Sequence, residues 1–321
     1  MKKTKKIISI ITPCFNEELN IELCYKTVKN LFEKHLVHYE REHIFCDNNS
    51  SDTTTAILRK IAHKDRCVKI IINARNFGIL KNTFNGVLQA TGNATFLFLP
   101  ADLQDPPELI PEFVKKWEQG YEIVYGIRAE REESIILAIA RKIYYEVLSK
   151  ISIVPYPPNV GDFQLIDRKV LNAMKEYNES QPFMRIMTFD CGFRSIGIKY
   201  TWKSRKDGFS KNSIYSLFEQ GLNGLISFSN LPIRIALFGG FIISFLSFIY
   251  AFSVILISIF KGIDAPKGVL TIITAQFIFG GIQLFFTGIL GEYILAIFNQ
   301  VRQRPLVVER ERINFKKSKI N

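Results

Sequence analysis

The sequence predicts an α/β chain: a mostly parallel sheet with helices on both faces, followed by two transmembrane helices. Two observations predict it. Residues 7–126 alternate short apolar runs with helical stretches, the rhythm of strand–helix–strand units. Further on, Ile235 to Phe260 is 26 residues without a charge, and Val269 to Leu290 is a second such run of 22. At 1.5 Å per residue the first would reach about 39 Å as a helix, more than the roughly 30 Å of a hydrocarbon core.

The elements follow in order. Lys2-Lys3-Thr4-Lys5-Lys6 is a basic start that feeds a first strand, Ile7–Thr12. Its apolar stretch is too short for a signal peptide, and Asn16-Glu17-Glu18 follows without a small-residue cleavage site. Further strands are predicted at His43–Asp47, Val68–Asn73, Thr95–Leu99 and Glu122–Tyr125, with helices at about 17–35, 53–63, 79–91 and 107–119 between them. Over 134–151 a helical wheel gathers Arg141, Lys142, Glu146 and Lys150 on one half and Ile136, Leu137, Ile143, Val147 and Ile151 on the other, which predicts a helix lying in the membrane interface.

The link Lys261–Gly268 between the apolar runs holds Gly, Asp and Pro and reads as a tight turn. The tail Asn299–Asn321 carries seven Lys/Arg and two Glu, so the positive-inside bias places it in the cytoplasm. Two spans then return the preceding domain to the same side. The expected organisation is a cytoplasmic catalytic domain over 1–230, a two-helix membrane segment over 231–298 and a basic cytoplasmic tail over 299–321. The expected location is the cell membrane. Paired glycines, Gly239-Gly240 and Gly280-Gly281, would let helices approach closely and allow a homo-oligomer.

The formal charge of +12 fits an anionic lipid surface or a phosphorylated substrate. It does not point to nucleic acid, because the basic residues are spread out and no zinc-finger, RNP or helix-turn-helix pattern is present. Five cysteines (14, 24, 46, 67 and 191) lack metal spacing or a disulfide framework and read as reduced, small buried hydrophobes.

In open α/β sheets, ligands bind beyond the carboxyl ends of the strands. Those positions hold Pro13-Cys14-Phe15-Asn16-Glu17-Glu18, Asp47-Asn48-Asn49-Ser50-Ser51-Asp52, Arg75-Asn76-Phe77-Gly78 and Pro100-Ala101-Asp102-Leu103-Gln104-Asp105. Any one of these clusters reads equally as a helix cap. Four on consecutive strand ends predict a site. No G-x-G-x-x-G or G-x-x-x-x-G-K-[ST] occurs, which disfavours dinucleotide redox chemistry and P-loop phosphotransfer.

With these turns, Gly161-Asp162-Phe163, Gly208-Phe209-Ser210-Lys211 and Gly291-Glu292-Tyr293, the chain resembles the family-2 glycosyltransferases of GT-A, Rossmann-like fold, in their membrane-bound polyprenyl-phosphate branch. The resemblance implies an inverting transferase that moves a sugar from a UDP- or GDP-linked donor to polyprenyl phosphate. It implies donor binding by Pro13, Phe15, Asn16, Glu17, Asp47 and Asn76, with Arg205 and Lys211 on a loop folding over the donor phosphates. Asp102 and Gln104 would bind a divalent metal, Mg2+ or Mn2+. Arg128 and Arg141 would hold the acceptor phosphate, and Asp162 would orient the acceptor or steady the loop. The chain departs from the family pattern at Pro100, where the first Asp of Asp-x-Asp usually stands, and at Asn48; either metal binding is weaker for it, or Asp105 and water complete the metal shell. The alternatives are a family-2 transferase with another membrane acceptor and a non-catalytic subunit that binds nucleotide-sugar or acts as a scaffold.

Overall fold

A computed structural model of the chain describes residues 5–130, 157, 159–201, parts of 233–253, and 268–315. The chain divides into two compact units, one formed by Met1–Lys150, Val154–Asn212 and Gln303–Asn321, the other by Ile151–Ile153 and Ser213–Arg302.

The first unit is built on an eight-stranded sheet. Its strands are β1 (Lys6–Cys14), β2 (Tyr39–Asp47), β3 (Val68–Asn73), β4 (Ala94–Phe96), β5 (Ile123–Glu130), β6 (Val160–Asp167), β7 (Ser195–Thr201) and β8 (Glu309–Ile313), in the spatial order β7-β5-β6-β4-β1-β2-β3-β8. Helices α1 (Ile21–His35), α2 (Thr54–Lys64), α3 (Ile79–Gln89), α4 (Ile110–Glu118), α5 (Arg168–Glu176) and α6 (Met184–Asp190) cover it.

The period-two alternation of each strand sorts its side chains between two cores. Ile8, Ile10 and Phe45 face Val28 and Phe32 of α1, Leu58 of α2 and Phe113 of α4. Ile11, Ile44 and Cys46 face Phe84 and Val87 of α3, Val170 of α5 and Met187 of α6. Burying each such side chain fully is worth about 1.5–3 kcal/mol.

All five predicted strands are present, within a few residues of their expected bounds. Helix α1 begins at Ile21 rather than near 17, because Asn16 takes a left-handed φ of 55° and the Glu17 amide donates to Thr54 Oγ1 at 2.9 Å. The helix predicted at 107–119 is a 3-10 turn, Pro107–Leu109, running into α4.

The sheet is mostly parallel, as expected: β1–β2, β1–β4, β2–β3 and β5–β7 pair parallel, and β6 and β8 run the other way, with β4–β6, β5–β6 and β3–β8 antiparallel. Two expectations are corrected. The run read as a basic tail supplies β8. Its Glu-Arg-Glu-Arg-Ile pattern is that of an exposed edge strand whose charges blunt further pairing. The second concerns the cysteines, since Cys67 is exposed and Cys191 half-buried, while Cys14, Cys24 and Cys46 are buried as expected.

In the second unit, α7 runs from Val269 to Val301. Its stretch Phe279–Val301, with a mean hydropathy of 1.6, is the one helix among the described residues long and apolar enough to cross a membrane. Exposed Leu284, Phe285, Ile294 and Ile297 coat it. The first apolar run is helical where it is described, between 233 and 253, and its remainder lies outside the described residues, as do the predicted 134–151 helix with Arg141 and the loop with Arg205 and Lys211.

Candidate active site

Parallel pairing of β1, β2, β3 and β4 brings their carboxyl ends to one edge, with Cys14 beside Asp47 and Asp47 beside Ile72. The first two loops lock together there. Asp47, fully buried, accepts from Ser50 Oγ at 2.5 Å and from Thr55 Oγ1 at 2.9 Å. Asn16 donates its backbone N–H to Ser50 Oγ at 2.9 Å and accepts from the Ser51 amide at 2.8 Å. Pro13 is buried, and Phe15, Asn16 and Glu17 are half-buried, so the turn presents a partly open face.

Asn48 is the hub of an amide network that fastens the Arg75–Gly78 loop to the sheet. Its Nδ2 donates to Asn76 Oδ1 at 2.7 Å, and its Oδ1 accepts from Asn73 Nδ2 and from the Phe77 amide, each at 3.0 Å. Asn73 also donates to Asn82 Oδ1 at 2.8 Å, and Asn82 to the Cys46 carbonyl at 2.8 Å. The departure from Asp at this position is thus structural: an amide both donates and accepts, and a carboxylate only accepts.

Asp102 is half-buried in the turn after β4, where Leu103 takes a φ of 53° and the Gln104 amide donates to Asp102 Oδ1 at 3.3 Å. Burial, joined by the charges of Asp102 and Glu17, lifts the Cys24 thiol to about 12 against the pull of a hydrogen bond with Thr12.

Asp105 is buried against an arginine and a tyrosine. It is 1% exposed, accepts from Arg128 Nη2 at 3.2–3.3 Å and accepts the Tyr200 hydroxyl hydrogen bond. Tyr200 Oη also accepts from Arg128 Nε at 3.1 Å. Burial and then Asp105 hold the Tyr200 hydroxyl well above its ordinary pKa, so it stays protonated and donates. Burial opposes the Arg128 charge, but Asp105 and Tyr200 outweigh it and raise the pKa. Glycine makes room for this group: a Cβ at Gly161 would lie 3.2 Å from Arg128 Nε, and one at Gly126 would lie 2.5 Å from Tyr200 Cε1.

Asp162, on β6, receives a two-pronged hydrogen bond from Arg185, Nε to Oδ1 at 3.1 Å and Nη2 to Oδ2 at 2.5 Å. Arg185 and Asp162 both lie near enough to act on the Arg128 charge. The edge therefore holds two arginine–carboxylate pairs beside the Asp102 turn. Arg185 and Tyr200 went unrecognised in the sequence. Arg185 follows no local motif, and Tyr200 continues the Ile196-Ile198 alternation of β7 like any inward-facing core residue.

Among the described residues, no group of three or more His, Cys, Asp or Glu is arranged to hold a metal. A hard divalent cation is commonly held by one or two carboxylates when substrate phosphates supply further oxygens. One carboxylate with one amide oxygen, Asp102 with Gln104, fits that donor set.

Residues 9–178 match the family described as Glycosyl transferase family 2. An uncharacterized glycosyltransferase, sll0501, of Synechocystis is 37% identical over 93% of this chain and 93% of its own. The SfII prophage-derived bactoprenol glucosyl transferase of Shigella flexneri is 33% identical over 93% of this chain and 96% of its own. Likeness to solved structures is looser. Glucosyl-3-phosphoglycerate synthase from Mycobacterium tuberculosis, in complex with Mn2+, UDP and phosphoglyceric acid, is 18% identical over 69% of this chain and 78% of its own, with a TM-score of 0.47, so family membership rests on the sequence relatives.

Proposed function

The chain belongs to glycosyl transferase family 2, and on that premise we propose that it moves a sugar from a UDP- or GDP-linked donor to a polyprenyl phosphate, with inversion at the anomeric carbon. One observation supports this reading above the rest. The loop after β4 carries Asp102 at the donor edge and, three residues on, Asp105 gripping Arg128. One short segment thus carries both the carboxylate assigned here to the metal and the counter-charge of a guanidinium suited to an anionic acceptor. The bactoprenol glucosyl transferase relative, matched nearly end to end, supports the same acceptor class.

In this reading the turn after β1 and Asp47 seat the nucleoside, and the Asn48–Asn76 network holds the neighbouring loop. A divalent cation, Mg2+ or Mn2+, held by Asp102 and Gln104 would neutralise the charge that develops on the departing diphosphate. Arg128 and Arg141 hold the acceptor's phosphate, Asp162 positions the arginine beside it, and Arg205 and Lys211 fold over the donor phosphates. The acceptor phosphate, with a second pKa near 6 by analogy with phosphorylated side chains, is already largely ionised. It therefore needs alignment and charge neutralisation more than a general base. Its oxygen bonds to the anomeric carbon as the bond to the nucleotide's diphosphate breaks. The catalytic domain and both termini lie in the cytoplasm, and the apolar helices anchor the chain in the cell membrane.

The test incubates full-length protein with a panel of nucleotide-sugars and a short polyprenyl phosphate, with mass spectrometry of the lipid. The reading expects a lipid heavier by one sugar, lost with a chelator and in Asp102→Asn, and restored to the wild type by Mg2+ or Mn2+. Full activity in excess chelator would return Asp102 to a turn-capping role, and no glycosylated lipid from any donor would remove the reading.

A further inference from the structure

We propose that Arg185 is a second guanidinium for the acceptor's phosphate, and that Asp162 occupies, before the acceptor arrives, the two hydrogen-bond positions its oxygens will take. The proposal rests on the polyprenyl-phosphate reading and extends it to a residue that no sequence motif marks.

The geometry is that of anion recognition. Nε and Nη2 of Arg185 meet the two oxygens of one carboxylate side by side, at 3.1 and 2.5 Å. A phosphate presents two oxygens to the same fork. The backbone beneath is held independently of the ion pair. Gln164, fully buried and two residues along β6 from Asp162, donates to the Arg185 carbonyl at 3.2 Å and to the Gly161 carbonyl at 3.0 Å. Its Oε1 accepts from Thr188 Oγ1, also fully buried, at 2.8 Å. The start of α6 is thereby pinned to β6, so the backbone that carries Arg185 is held without the ion pair.

Exposure separates this pair from its neighbours. The guanidiniums of Arg185 and Arg128 are exposed alike, 15% and 13%, but their carboxylates differ: Asp162 is 22% exposed and Asp105 1%. Asp105 is a deep counter-charge. Asp162 stands where an incoming dianion can displace it. The Arg185 charge also acts on Arg128, so a phosphate on the Arg185 fork would lie in a field raised by both arginines.

The experiment measures binding of a short-chain isoprenyl monophosphate and of the nucleotide-sugar to full-length protein, with the Michaelis constants for each. Arg185→Gln should weaken isoprenyl phosphate binding by about 10–100-fold, the scale of a charge-assisted hydrogen-bond pair, with the donor constant within about 2-fold. Asp162→Asn should tighten isoprenyl phosphate binding even as turnover falls, because the competing carboxylate charge is gone. A strut predicts the opposite, with Asp162→Asn loosening both ligands. If Arg185→Gln loses both ligands, Arg185→Lys decides. Acceptor loss alone in that variant supports the proposal, while joint loss, or an unchanged acceptor constant, overturns it. A wild type that binds no isoprenyl phosphate and glycosylates none would sink the underlying function, whereas a wild type that transfers while Arg185→Gln keeps its acceptor constant sinks only this inference.

Discussion

Replacing Asn48 by Asp, the residue type the family resemblance implies there, should weaken this protein rather than restore it. Asn48 is 4% exposed. A carboxylate keeps the hydrogen bonds accepted from Asn73 Nδ2 and the Phe77 amide but loses the donation to Asn76, leaving two acceptors at the 2.7 Å that now separates donor from acceptor. Asn76 gains nothing by turning its amide over, because its Oδ1 also accepts from the Gly78 amide at 2.9 Å. The lost hydrogen bond costs about 1 kcal/mol, and a buried charge with only neutral donors adds about 1–3 kcal/mol. Together these give about 2–4 kcal/mol, or a fall in Tm of roughly 5–15 °C for a domain of this size. Thermal unfolding of the full-length protein in detergent, followed by tryptophan fluorescence, reads the change. Burial raises the introduced carboxyl's pKa, and the protonated form regains a donor, so the deficit should shrink as the pH falls from about 7 toward 5. A variant as stable as the wild type at neutral pH, or a deficit that grows in acid, refutes the reasoning.

Two further outcomes follow from the packing. Asn314, at a left-handed φ of 62°, donates to the Ala62 and Val68 carbonyls at 2.8 Å each and accepts from Arg66 Nη1 at 2.8 Å. Asn314→Ala should therefore cost about 2–3 kcal/mol in denaturant unfolding, and an unchanged midpoint would mean that β8 is no working part of the sheet. His43 is fully buried, its Nδ1 has no hydrogen-bond partner among the described residues, and burial, with the nearby Arg41 charge, holds its pKa well below the ordinary value. The unfolded chain binds that proton below a pH of about 6.5 and the folded chain does not, so His43 should remove stability by up to about 1.4 kcal/mol per pH unit as the pH falls below that point. His43→Phe should flatten this part of the acid-unfolding curve, and an identical acid slope in the variant argues against a neutral buried imidazole.

The central strands were legible because each carries a short apolar run bounded by polar turn residues, and the two cores follow from their alternation. β8 was not. Glu309-Arg310-Glu311-Arg312 has no apolar face to betray it, and only its pairing with β3, more than 200 residues away in sequence, makes it a strand. β6 and β7 escaped for a related reason, since they close the sheet through long-range pairing beyond the repeating strand–helix rhythm. In the site, the turns announced themselves by clustering carboxylates and amides after strands. The ion pairs did not, because Arg128 meets Asp105 across 23 residues and Arg185 meets Asp162 across another 23, separations that no local pattern encodes. Asn48 reads from the sequence as a lost ligand, and only its three hydrogen-bond partners give it a structural reason.

The central claim is that the acceptor's own phosphate oxygen becomes the glycosidic oxygen. The most direct measurement uses a short polyprenyl phosphate labelled with 18O in its non-bridging oxygens and reads both products of a single reaction by mass spectrometry. The account predicts a lipid with one phosphorus, one added sugar and all the label retained, together with one unlabelled nucleoside diphosphate per lipid formed. A lipid with two phosphorus atoms and release of nucleoside monophosphate would make this a sugar-phosphate transferase. Nucleoside diphosphate released with free sugar and an unmodified lipid would remove polyprenyl phosphate as the acceptor.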